Sequence, residues 1–138
     1  MIKVAILGYG TVGSGVFEII NENKELITAN AGEEIDVKYV LDLREFPGDS
    51  CESVLVHDYN IILNDPEVEV VIEVMGGLKP AYDFVKSALL AKKSVCTSNK
   101  ELVAKYGAEL IKIAQSNNRN FLFEACCHCC CGFQSGRV

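Results

Sequence analysis

Apolar residues along this chain gather in short continuous runs, separated by stretches where they recur every three or four positions. That is the alternation of buried strands with amphipathic helices. Ile2 to Leu7 is the first run. A helix is predicted from about Thr11 to the Asn30–Gly32 cluster, with Val12, Val16, Ile19, Ile20, Leu26 and Ile27 at helical spacing. Gly15 within it reads as a point of close packing on a sheet. Asp36 to Leu41 predicts a second strand that ends on Asp42. The stretch from Arg44 to Asn64 is rich in Pro, Gly, Asp and Ser, and predicts a short third strand near Ser53 to Val56 and a helical turn around Tyr59 to Leu63. Val68 to Val74 is a β-branched run of the kind buried on both faces. Pro80 then opens a helix with Ala81, Phe84, Val85, Ala88 and Leu89 on one face, since Pro in a first turn sacrifices no hydrogen bond. Ser94 to Thr97 follows as a strand, and Ser98 with Glu101 forms a capping box for a helix carrying Leu102, Val103, Tyr106, Leu110, Ile111 and Ala114. Asn117 and Asn118 end that helix, and Asn120 to Ala125 predicts the last strand.

The first strand passes directly into Gly8-Tyr9-Gly10-Thr11-Val12-Gly13, a GxGxxG turn in the strand-to-helix context that gives this motif meaning. Gly8 permits the tight turn, Gly10 lets backbone approach a pyrophosphate, and Gly13 lets the helix lie close to the strand. Phosphates would sit at the helix N-terminus, where free N–H groups and the positive end of the dipole point at them. The fold class that follows is α/β, a Rossmann-type doubly wound parallel sheet of about five to six strands. Ligands in such sheets bind at the carboxyl ends of the strands, and the glycine turn, Asp42, Met75 to Gly77, Thr97 to Lys100 and Glu124 all fall on that edge. An acid at the tip of the second strand, here Asp42, is where a ribose 2′-hydroxyl would be gripped. Arg44, two residues on, would instead reach toward a 2′-phosphate. Asp42 tilts the balance slightly toward NAD; the choice between NAD and NADP stays open.

With 138 residues the chain can bury one core, so residues 1–125 are read as a single dinucleotide-binding domain. A formal net charge of −6 and no basic patch argue against a nucleic-acid partner. No apolar stretch reaches membrane-spanning length and no signal peptide precedes the first strand, so a cytoplasmic protein is expected. His57, beside Asp58, reads as a surface loop residue.

Four segments together resemble one family: Gly8 to Gly13, then Glu73-Val74-Met75-Gly76-Gly77-Leu78-Lys79-Pro80-Ala81, then Thr97-Ser98-Asn99-Lys100-Glu101-Leu102-Val103-Ala104, and Phe123-Glu124-Ala125. They resemble the nucleotide-binding domain of homoserine dehydrogenase over about residues 1–125. The resemblance implies NAD(P)-dependent interconversion of aspartate semialdehyde and homoserine, a small-molecule substrate, and dimers or larger assemblies for the full-length enzyme. It further implies that Met75 and Gly76 border the nicotinamide, that Thr97, Ser98 and Asn99 hold its ribose region, and that Lys100 helps bind or protonate substrate. Glu124 would match a residue of the family's sodium site. The chemistry of Lys100 agrees, since an ammonium at a strand's carboxyl end can polarise a carbonyl oxygen. Two other readings stay open: a stand-alone NAD(H)-sensing module, and another dehydrogenase of the same fold, such as a relative of aspartate dehydrogenase or dihydrodipicolinate reductase. A sensor would need the phosphate turn but no lysine on the nicotinamide side.

After Ala125, where the family continues with a glycine-rich turn and a long substrate region, this chain has Cys126-Cys127-His128-Cys129-Cys130-Cys131 and runs to Val138. Thiolates and imidazole are zinc ligands, but adjacent residues point to opposite sides and no distant second pair exists, so residues 126–138 read as an unselected tail. Neither a structural zinc nor an ordered sodium site is expected there, since thiols do not suit a hard ion. Cofactor binding without turnover is expected of this chain.

Overall fold

The computed structural model describes residues 2–23, 25, 29, 32 and 34–123. Within them six parallel strands form one sheet: β1 (Ile2–Leu7), β2 (Ile35–Leu41), β3 (Leu55–Val56), β4 (Val68–Glu73), β5 (Ser94–Thr97) and β6 (Phe121–Phe123), in the order β3-β2-β1-β4-β5-β6. Helices α1 (Thr11–Glu22), α2 (Tyr59–Leu63), α3 (Ala81–Leu90) and α4 (Lys100–Ser116) connect them, with a short 3-10 turn at Glu52–Val54. This is the expected doubly wound α/β sheet, at the upper end of the expected strand number.

Strand β1 shows why the sheet is covered on both sides. Its side chains alternate, so Ala5 and Leu7 enter a core formed with α2, α3 and α4, while Ile6 enters a second core formed with α1. The first contains Val71, Val85, Leu89, Val95, Leu102 and Leu110, all essentially inaccessible to solvent. The second contains Phe17, Ile20, Val37, Val40 and Cys51.

Helix α1 departs from the expected pattern in three respects. Its buried residues are Gly13, Phe17 and Ile20, whereas Val12 and Ile19 stand exposed. Gly13 sets that rotation: an added Cβ would lie 1.9 Å from the Gly8 carbonyl oxygen, so the helix approaches the turn on that side and brings Phe17 inward one turn later. Gly15 has no neighbour within 4 Å of where its Cβ would be, so it is not a packing contact with the sheet. The helix is also interrupted after Glu22, with Asn23 leaving helical backbone while its side-chain amide donates to the Ile19 carbonyl at 3.3 Å, although Glu25 and Ala29 beyond it are again helical. Part of the longer expected helix, including Leu26, Ile27 and Asn30, lies outside the described residues.

The later elements follow the pattern closely. Helix α3 starts after Pro80 and buries Ala81, Val85, Ala88 and Leu89. Helix α4 buries Leu102, Leu110 and Ala114 and ends at Asn117, with Asn118 in the left-handed region at φ 57°. Its N-cap is Asn99 rather than the expected Ser98: the Asn99 side-chain oxygen accepts from the Leu102 N–H at 3.1 Å, while Ser98 is exposed. The cap is therefore one residue later than expected, and with Leu102 at the third helical position there is no capping box. The third strand is shorter than expected, because Glu52–Val54 tightens into the 3-10 turn. The end of the last expected strand, Glu124 and Ala125, and the tail from 126 to 138 lie outside the described residues.

Candidate functional site

A cavity of about 510 Å³ opens at the carboxyl edge of the sheet, over the ends of β1, β2 and β4. Gly8, Tyr9, Gly10, Asp42, Arg44 and Met75 line it, so six of the expected cofactor residues share one wall. Val74, Pro80, Phe84, Tyr59, Leu41, Leu43 and His57 complete it.

The glycine turn has the mechanics expected of it. Gly8 sits at φ 99°, where a side chain would be strained, and its N–H donates to the Leu41 carbonyl at 2.7 Å. A Cβ there would also press on Met75. Gly10 precedes α1 in extended backbone and offers no side-chain cap, so the first N–H groups of α1, at Thr11, Val12 and Gly13, face the turn without a capping oxygen. A Cβ at Gly10 would meet no protein atom within 4 Å: the space there is open.

Asp42 is the hub of the β2 tip. One carboxylate oxygen accepts from the Tyr9 N–H at 2.8 Å and the Arg44 guanidinium at 2.9 Å; the other accepts from the Arg44 N–H at 2.9 Å and Nε at 3.0 Å. The Arg44 guanidinium holds the Asp42 carboxyl well below the usual carboxylate range. Asp42 and Arg44, which sequence reasoning set against each other as rival readers of the ribose, are thus one bidentate pair. Asp42 is largely covered and Arg44 is exposed.

His57 is a surface residue, as expected, but it also lines the cavity. Its Nδ1 donates to the Asp42 carbonyl at 2.6 Å, and Nε2 lies 2.9 Å from a Glu45 carboxylate oxygen.

The expected nicotinamide-side residues form a second cluster, tied together by a side chain to which sequence reasoning gave no role. Glu73, at the end of β4, is fully buried. Its carboxylate accepts from the N–H groups of Met75 at 2.8 Å and Gly76 at 3.3 Å, and from the Thr97 hydroxyl on neighbouring β5. Thr97 Oγ1 in turn accepts from the Asn99 N–H at 3.0 Å, and the Asn99 amide donates to the Gly77 carbonyl at 2.5 Å. The Met75–Gly77 and Thr97–Lys100 segments are therefore pinned to each other. A buried polar side chain is tolerated only when it is hydrogen-bonded, and the Glu73 carboxyl meets three donors. The visible signal was an acid inside an otherwise β-branched run.

Thr97 and Asn99 spend their side chains on this brace, which leaves Ser98 and Lys100 exposed at the edge. Lys100 occupies the first position of α4, where the positive end of the helix dipole disfavours an ammonium by about 0.3–1 kcal/mol. Among the described residues it has no ion-pair partner. Glu124 lies outside the described residues, and so do the sodium and zinc expectations attached to it and to residues 126–138.

Comparison with known proteins agrees with this geometry. A family model described as the NAD binding domain of homoserine dehydrogenase matches residues 8–124. The homoserine dehydrogenase of Bacillus subtilis (strain 168) is 40% identical over 127 residues, covering 90% of this chain and 29% of that protein. The crystal structure of S. aureus homoserine dehydrogenase at pH 6.0 superposes with a TM-score of 0.82 at 38% identity, over 90% of this chain and 32% of that one. A hyperthermophilic archaeal homoserine dehydrogenase in complex with NADPH gives a TM-score of 0.72 at 26% identity, over 90% of this chain and 44% of that one. The chain thus spans about 30% of the length of the curated relatives it matches. It belongs to the homoserine dehydrogenase family, within which it corresponds to the NAD-binding domain.

Proposed function

We propose that the cavity at the carboxyl edge takes the adenosine and pyrophosphate of NAD or NADP, and that this chain is the coenzyme-holding part of an enzyme interconverting aspartate semialdehyde and homoserine. One observation carries the reading: a single cavity joins the glycine turn, the Asp42–Arg44 pair and Met75. The open space beside Gly10 and the uncapped start of α1 fit a pyrophosphate, which needs close backbone and free N–H groups. The NADPH bound to the archaeal relative supports the same class of ligand.

When bound, the coenzyme supplies or accepts a hydride at its nicotinamide. The chain's own residues do the rest. The uncapped N–H groups of Thr11, Val12 and Gly13 are the donors for the diphosphate, which the tight turn at Gly8 and the open space at Gly10 let come close. Asp42, whose two oxygens already accept four hydrogen bonds, would offer a 2′-hydroxyl the acceptors that Arg44 gives up, and the exposed guanidinium of Arg44 offers donors to a 2′-phosphate. Glu73, Thr97 and Asn99 fix the ledge formed by Met75, Gly76 and Ser98 beside the nicotinamide ribose. Lys100, free and unfavourably placed for helix stability, donates toward the substrate's carbonyl oxygen. The proposed substrate is small. No helix among the described residues is long and apolar enough to cross a membrane, and the proposed setting is the cytoplasm.

Calorimetric titration with NADH and with NADPH tests the reading, and saturable binding of at least one is expected. No homoserine oxidation above blank is expected from these 138 residues, which span about 30% of the length of the curated relatives. Failure to bind either dinucleotide would sink the proposal.

A further inference from the structure

We infer that Tyr9 is a positioning residue that bolts the segment from Leu43 to Cys51 against the glycine turn, and thereby sets how strongly the site prefers NADPH over NADH. The inference rests on the coenzyme reading above. It goes beyond it by assigning a task to the one large side chain in the turn.

Beyond the Arg44–Asp42 pair, the Glu45–His57 contact and a Gly48 N–H bond to Glu52, the segment has little else to hold it. Leu43, Arg44, Glu45, Pro47, Gly48, Asp49 and Ser50 are all exposed. Its main-chain bonds from Asp49 to Phe46 and from Glu52 to Asp49 fasten it only to itself. Two side chains turn inward, Phe46 and Cys51, and both lie in the core cluster that contains Tyr9. The Tyr9 ring meets Phe46 edge-on at 4.9 Å between centroids and Phe17 of α1 at 5.9 Å. Its hydroxyl donates to Asp49 Oδ1 at 2.7 Å, and the same oxygen accepts from the Cys51 N–H at 3.1 Å.

The bolt reaches the ribose reader through Phe46. Arg44 lies over the Phe46 ring at 5.1 Å while it grips Asp42, whose carboxylate is held by the Tyr9 N–H. Tyr9 therefore reaches the two readers by different routes, Asp42 directly through its main-chain N–H and Arg44 only through Phe46, the ring on which the guanidinium rests. Losing the hydroxyl loosens Phe46 and Cys51 beneath the Arg44 guanidinium, while the bonds of Asp42 to Tyr9 and Arg44 stay in place. A segment that must be ordered on binding takes its entropy out of the affinity, and here the loss falls on the ligand group that Arg44 meets, a 2′-phosphate.

The measurement is the ratio of dissociation constants for NADPH and NADH, by titration of the 138-residue chain. Tyr9→Phe and Asp49→Ala are each expected to raise that ratio about tenfold, the loss of one charge-assisted contact. The double variant should add little to either single one, as for partners in one bond. Asp49→Asn keeps the accepting oxygen and should stay near the parent ratio. Asp49 is exposed, so Asp49→Ala keeps the test valid should Tyr9→Phe misfold. An unchanged ratio in both variants, or an equal loss for both coenzymes, overturns the inference and spares the coenzyme reading. A parent chain that binds NADH but not NADPH overturns it as well, and a parent that binds neither removes the coenzyme reading with it.

Discussion

Gly10 and Gly13 stand three positions apart in one turn, yet a side chain added to each meets opposite surroundings. At Gly13 the new Cβ would sit 1.9 Å from a backbone oxygen that cannot move without the turn, so Gly13→Ala should destabilise the fold by about 3 kcal/mol or more, read as a fall in the urea midpoint. At Gly10 the Cβ enters open space on extended backbone that valine tolerates, so Gly10→Val should leave the unfolding midpoint near the parent while abolishing dinucleotide binding. A Gly10→Val chain that binds as the parent does would remove the pyrophosphate assignment. Asp42→Ala, by releasing Arg44 as it deletes the acceptor, should weaken NADH by about tenfold and NADPH by less. The reverse ranking in paired titrations would make Arg44 the dominant reader. At this scale the gathering of Gly8, Gly10, Asp42 and Met75 around one cavity was legible, because strand-end positions in a parallel sheet follow from the order of the elements. Glu73 and Tyr9 were not, because their work depends on partners 24 and 40 positions away that no local pattern reveals.

Helix boundaries and rotations show where periodicity stops being informative. The apolar stripe of α4 was readable because every position on it meets sheet or helix. The stripe of α1 was misjudged by about a quarter turn, since Gly13 contributes no apolar side chain yet decides which face approaches the strand. Phe17→Ala should therefore cost about 3–5 kcal/mol, whereas Val12→Ser should stay within about 0.5 kcal/mol, by chemical denaturation. Capping shows the same limit. Ser98 and Asn99 are both good N-cap residues, and only the turn made by Thr97 and Gly77 selects the second. Asn99→Ala should cost about 1–2 kcal/mol and Ser98→Ala almost nothing; equal effects would return the cap to Ser98.

For the molecule as a whole, the strand and helix alternation sufficed for the architecture, because parallel strands need crossovers and crossovers of one hand permit few arrangements. Its acid response follows from the paired carboxylates. Asp42 is held down by Arg44, Asp49 by Tyr9, and Asp65 by Lys38 and Tyr39 to about 2, against an ordinary value near ~3.9. A depressed native value contributes stability that is present above the unfolded pKa and lost as pH falls through the folded one. The urea midpoint should thus hold near pH 6 and decline steadily from about pH 4.5 toward pH 2. A midpoint flat across that range would mean the pairs are equally strong in the unfolded chain. The central place of β1 has a consequence for how the protein is made. Ile2–Leu7 is synthesised before its partners on either side, β2 and β4, the second of which ends only at Glu73. At ~5–20 residues per second, the edge of this six-residue strand that faces β2 stays unpaired for roughly 2–7 s of synthesis and the edge that faces β4 for roughly 3–13 s. Nascent copies on neighbouring ribosomes can pair through those edges during that interval, so soluble yield should respond to translation speed and chaperone supply more than to any substitution in the finished site.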